Sequence, residues 1–141
     1  MTLTLVFQID GRDFGIELDA VQEIIEDQKI YPVPNRVACL SGAVNVHGEV
    51  LPVIDLPALL GSSSGSIRDD RLVVLAPAFR SLVLAVERVR EILPLQLEQA
   101  GVPDPADDNA FSRGRLEREG EAPLFLLDTN AVFERLAVCF D

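Results

Sequence analysis

The sequence predicts a mainly β protein made of two similar subdomains, and three observations carry that reading. Most apolar segments are short and rich in Val, Ile and Leu: LTLVFQI, FGIEL, GAVNV, EVLPVI, RLVVLAP, SLVLAV and PLFLL. Their lengths and spacing are those of strands in small barrels or a sandwich. The chain also repeats itself, since residues 5–25 lie over residues 73–93 without a gap when it is shifted by 68 positions. Between the copies, GSSSGSIRDD (61–70) has the composition of a flexible linker. The expectation is one domain spanning 1–141, with repeat halves of approximately 1–70 and 71–141.

The elements follow in order. LTLVFQI and FGIEL form a strand pair around a turn at Asp10-Gly11, and in the repeat Phe14, Ile16 and Leu18 fall on Leu82, Leu84 and Val86. An acidic corner follows each pair, Asp19 matched by Glu87, and then V-x-E-I, Val21-Gln22-Glu23-Ile24 matched by Val89-Arg90-Glu91-Ile92. Next comes a long excursion, acidic and loop-like in the second half (98–114). A Gly-Glu turn and a strand ending in Asp close each half, Gly48 to Asp55 and, one residue longer, Gly120 to Asp128. The segments DLPALLG and TNAVFERLA then read as helices, because Asp55 and Asp128 stand where a carboxylate can accept from the first unpaired N–H groups.

Composition narrows the function. At 141 residues with 48% hydrophobic content, the chain can bury a real core but not two independent ones. A net charge of -11 opposes phosphate neutralisation on nucleic acid and docking on an anionic membrane, leaving proteins as the natural partners. The longest unbroken apolar run, 72–79, is eight residues and contains Pro77, far short of the roughly 20 that a spanning helix needs. Cys39 and Cys139 lack C-x-x-C spacing and the N-terminus lacks a basic n-region, so a cytoplasmic protein with reduced thiols is expected.

Candidate chemistry is sparse. His47, the one histidine, precedes Gly48 between two strands, which fits a two-residue hairpin turn with positive φ at both positions. A metal site would need partners that neither a second His nor the Cys spacing supplies, and no oxyanion-hole motif accompanies a Cys39–His47 pair. Leu126-Leu127-Asp128-Thr129 runs like the strand into Asp-Thr of an aspartic protease, but Asn130 stands where those enzymes have Gly, and helix capping is the simpler role for Asp128. The Gly spacing of DGRDFG is wrong for a P-loop or a dinucleotide fingerprint. No catalytic residue, cofactor or metal is expected.

Taken in order, V-Q-E-I (21–24), I-Y-P-V-P (30–34), Gly42-x-x-Asn45-x-x-Gly48 and V-L-P-V-I-D-L (50–56) resemble the CheW-like domain family, the coupling proteins of bacterial chemotaxis arrays. The resemblance covers nearly the whole chain. It implies two SH3-like five-stranded β-barrels, no catalysis, and a role bridging the regulatory domain of a CheA-type histidine kinase to the cytoplasmic tips of chemoreceptors. Carried over by position, it implies partner-surface roles for Val21, Glu23, Gly42, Asn45, His47 and Gly48, and receptor contact for Ile92. Periodicity alone leaves Val21, Ile24 and Ile92 open between interface and core. The family usually has Arg in its N-L-R-G turn, paired with the Glu of V-x-E-I; here that position is His47, so a Glu23–His47 contact is expected, conditional on an imidazole charge that Arg would hold permanently. That departure keeps a second reading open: a variant regulator that binds the kinase or a localisation protein but not receptors.

Overall fold

The structure, a computed structural model, describes residues 1–9, 11–32, 39–59, 71–76, 82–102 and 111–140. Its elements are β1 (Thr2–Ile9), β2 (Arg12–Glu17), β3 (Val21–Glu26), β4 (Leu40–Val46), β5 (Glu49–Asp55), α1 (Leu56–Leu59), β6 (Arg71–Leu75), β7 (Val83–Ala85), β8 (Arg88–Leu95), β9 (Ser112–Leu116), β10 (Leu124–Leu127) and α2 (Thr129–Phe140). The expected linker, 61–70, lies outside the described residues. So do Asp10 of the first turn and residues 103–110 of the second excursion.

Two five-stranded sheets form, in the orders β8-β1-β2-β10-β9 and β3-β6-β7-β5-β4. The orders are the same once each element is replaced by its repeat counterpart. They are nevertheless cut out of phase with the sequence halves. One sheet uses the continuous stretch β3–β7; the other joins the N-terminal hairpin β1–β2 to β8–β10. A sequence repeat carries no phase, because any window of one period is equally self-similar, and strand pairing alone decides where a spatial unit begins. The acidic corners at Asp19 and Glu87 are the two points where the chain passes from one sheet to the other.

Each sheet closes on itself at equivalent places. Tyr31 and Ala43 exchange backbone hydrogen bonds of 2.8 Å, joining the chain beyond β3 to β4, and Gly101 and Arg115 exchange bonds of 2.8 and 3.0 Å, joining the chain beyond β8 to β9. The result is a central barrel (β3–β7) and a terminal barrel (β1, β2, β8–β10), joined within each by one parallel pairing, β5 with β7 and β10 with β2.

The core has three layers. Val44, Val46, Leu51, Val53, Leu72 and Val74 fill the central barrel, and Val6, Leu116, Leu124 and Leu126 the terminal one. Between the barrels lies a shared cluster that includes Leu5, Phe7, Phe14, Ile54, Val73, Leu75, Leu84 and Phe125, with Phe14 stacked on Phe7 and tilted against Phe125. Strands β1, β6 and β10 thus bury both faces, one in a barrel and one in the shared layer, which is why they read as unbroken apolar runs rather than alternating ones. The final helix adds Val132 and Leu136 to the shared layer.

Candidate functional site

The two V-x-E-I segments share one backbone irregularity. In β3, Val21 faces Leu75 and Glu23 faces Val74, so Gln22 is an extra residue with no opposite number. In β8, Val89 faces Phe7 and Glu91 faces Val6, so Arg90 is the extra one. A bulge of this kind shifts the alternation by one residue. It lets Val21 and Val89 enter the shared layer while Ile25 and Leu93, four residues on, turn into the barrel interiors. The motif that singles out these strands in the sequence is therefore a bulge: the x position, Gln22 or Arg90, is the inserted residue.

At the central barrel the Glu meets the hairpin turn. His47 and Gly48 have φ of 52° and 86°, the paired positive values of a two-residue turn between Val46 and Glu49. The Gly48 N–H donates to Asn45 Oδ1 at 2.8 Å, fixing the turn from within. His47 Nε2 then lies 2.7 Å from Glu23 Oε1, the expected contact, with the imidazole 74% exposed and the carboxylate side chain 28%. The ring N–H is not aligned on that oxygen, which has no partner of hydrogen-bond geometry, so the contact is a close approach of the two groups rather than a directed bond, and it is an ion pair only when the imidazole carries a proton. Glu23, Asn45, His47 and Gly48 thus form one surface at the end of the central barrel.

The other candidates separate from it. Gly42 has φ of 149°, and a Cβ there would overlap the Tyr31 carbonyl oxygen that closes the barrel; Gly114 stands equivalently against Gly101 O in the terminal barrel. Gly42 serves closure directly. Val21 and Ile24 are partly buried against the shared layer. Ile92, the counterpart of Ile24, is 47% exposed on the terminal barrel, beside an exposed Leu3 that pairs with Pro94. Tyr31 and Val50, exposed on the outer face of the central barrel, were not picked out by sequence reasoning.

Neither was Asp13, the most buried charge among the described residues. It lies on β2 and accepts from Arg118 Nη2 at 2.6 Å and Arg90 Nη1 at 3.0 Å on one oxygen, and from Gln8 Nε2 at 3.1 Å on the other. Burial by itself raises its pKa. The bonds from Arg118, Gln8 and Arg90, with the charge of Arg90, outweigh that and hold the carboxyl below the ordinary carboxylate value. Arg118 also donates to Ala122 O and pairs with Glu121, tying the β9–β10 connection into the same hub. The available signal was period-two alternation: with Phe14 and Ile16 facing the shared layer, Asp13 has to face the barrel interior.

Asp128 Oδ1 accepts the Ala131 N–H at 3.2 Å and Asp55 Oδ1 the Ala58 N–H at 3.2 Å, so both carboxylates cap helices. Burial pushes the Asp55 carboxyl above its ordinary value, partly offset by the Ala58 bond. Among the described residues no three His, Cys, Asp or Glu side chains are grouped to hold a metal ion, and no helix is long and apolar enough to cross a membrane.

Comparison with known proteins gives the family. The model of the CheW-like domain matches residues 3–137. The chain belongs to the CheW-like domain family. Among its relatives, chemotaxis protein CheW of Thermotoga maritima is 25% identical over 135 residues, covering 95% of this chain and 89% of the relative. Chemotaxis protein CheW of Rhizobium meliloti is 29% identical over 133 residues, covering 92% and 85%. The crystal structure of scaffolding protein TtCheW from Thermoanaerobacter tengcongensis superposes with a TM-score of 0.78 at 23% identity, over 89% of this chain and 88% of that one, and shares the fold. In this CheW-like chain the bulged V-x-E-I strands and the Gly42-to-Gly48 hairpin lie on a two-barrel architecture.

Proposed function

We propose that this CheW-like chain is a non-enzymatic cytoplasmic adaptor that couples a CheA-type histidine kinase to the tips of chemoreceptors. The observation that carries the reading, beside family membership, is that the chain presents two separate surfaces on barrels fused through one shared core. The Glu23–Asn45–His47–Gly48 surface lies on the central barrel and the Ile92 surface on the terminal barrel. Two partners held on such a unit are fixed in relative geometry without either contact being strong alone, and binding of one biases the other by effective concentration. In this assignment the kinase regulatory domain takes the His47 surface and the receptor hairpin the Ile92 surface.

Calorimetric titration of the two fragments separately tests it. Glu23→Arg should weaken the kinase domain alone, and Ile92→Asp the receptor fragment alone. Loss of neither partner from either variant would remove the assignment. The resemblance, by which His47 stands where Arg is usual, supports one second reading, a regulator that takes the kinase or a localisation protein but no receptor. Wild type binding the kinase fragment and not the receptor fragment would establish that instead.

A further inference from the structure

The β8 bulge decides which way Ile92 points. On an unbulged strand Val89, Glu91 and Leu93 would share one face and Arg90 and Ile92 the other. With Arg90 inserted, Ile92 faces Leu5, on the side of the shared layer, and lies at its outer margin, while Leu93 faces Thr4 inside the terminal barrel. In β3 the equivalent Ile24 is partly buried, so only the β8 copy presents its Ile to solvent. The inserted residues differ as well. At the β8 bulge, the guanidinium of Arg90 is anchored 3.0 Å from Asp13 Oδ2, and that carboxylate is itself held by Arg118 and Gln8. The side chain of Arg90 is 35% exposed and that of Asp13 only 5%, so the anchor is buried at one end and open at the other.

We propose that Arg90, tethered to the buried Asp13, is a positioning residue that fixes the β8 bulge and so holds Ile92 outward for its partner. This rests on the reading of the Ile92 surface as the receptor-binding one. The tether acts at the one residue of the strand that the ladder leaves unpaired, where local register is least constrained by backbone hydrogen bonds. Binding through Ile92 then requires the bulge to stay in place, and an Arg90 without its anchor lets the strand sample other phases.

The test uses the full chain and a receptor-tip hairpin fragment, with the kinase regulatory domain as a control ligand. Arg90→Met keeps the stem and removes the tether; Arg90→Lys keeps a charge that can reach Asp13. Arg90→Met should weaken receptor-fragment binding by about tenfold, Arg90→Lys should recover part of the loss, and kinase-domain affinity should not move. The deciding arm is a double-mutant cycle with Ile92→Ala, in which the Arg90→Met effect should vanish because there is no side chain left to position. An undiminished Arg90→Met effect in the Ile92→Ala background overturns the proposal, as does full affinity in Arg90→Met when Ile92→Ala alone weakens binding. If Ile92→Ala alone leaves receptor binding intact, the underlying assignment of the Ile92 surface falls, and the positioning role falls with it.

Discussion

Asp13→Asn should be the most costly conservative change in the terminal barrel. Asn keeps the shape and one acceptor but removes the charge that compensates Arg118, whose side chain is only 8% exposed. Breaking a buried pair by removing one partner costs about 3–5 kcal/mol. Arg118 retains Ala122 O and Glu121, which places the cost at the low end of that range, and Arg90 can turn its exposed end to water for less than about 1 kcal/mol. The expected loss is about 3 kcal/mol, or roughly 10 °C in melting midpoint for a chain of this size. Urea and thermal unfolding followed by circular dichroism measure it. The acid limb gives a second check. The folded-state pKa of Asp13 lies below its ordinary 3.8, so its contribution is complete above that value and is lost as pH falls through the folded one. The gap between wild type and Asp13→Asn should therefore be constant near neutrality and close below about pH 4. A cost under about 1 kcal/mol, or a gap that does not narrow in acid, would show that the hub is solvated and that the buried-pair reasoning is wrong.

Further outcomes follow from the turn and the barrel closure. Gly48→Val should cost about 1–3 kcal/mol, all of it backbone strain at φ 86° because nothing lies within 4 Å of an added Cβ; an unchanged melting midpoint would refute the turn geometry. Gly42→Ala should cost more, about 3 kcal/mol or above, since strain there is joined by overlap with the Tyr31 carbonyl, and loss of hydrogen-exchange protection at the Ala43 amide would report the opened closure. A double-mutant cycle between Glu23→Ala and His47→Ala should give a coupling in folding stability below about 1 kcal/mol, as for exposed pairs in general. A coupling of several kcal/mol would mean that the pair is buried.

The sequence by itself determined what is local or periodic. Strand identity came from Val-rich runs of strand length. The His47-Gly48 turn came from two residues that tolerate positive φ between strands, and the roles of Asp55 and Asp128 came from carboxylates placed one residue before a helix. Each of these depends on a few neighbouring residues, whose steric and hydrogen-bonding preferences are written in their side chains. The resemblance of whole motifs supplied the Glu23–His47 contact, which joins residues far apart in the chain. Tertiary structure alone decided the rest. The repeat is visible at a shift of 68 residues, but its phase is not, so only strand pairing could assign the N-terminal hairpin to β8–β10. V-x-E-I reads equally well as core or interface until a register is fixed, and the inserted Gln22 and Arg90 are recognised only against their partner strands. Period-two alternation can turn Asp13 inward, but only closure of the terminal barrel brings Arg90 and Arg118, distant in sequence, onto one of its oxygens. The exposure of Ile92 and the partial burial of Ile24, in matching sequence positions, have the same origin: burial belongs to what packs against a residue, and that is set by contacts the local sequence does not contain.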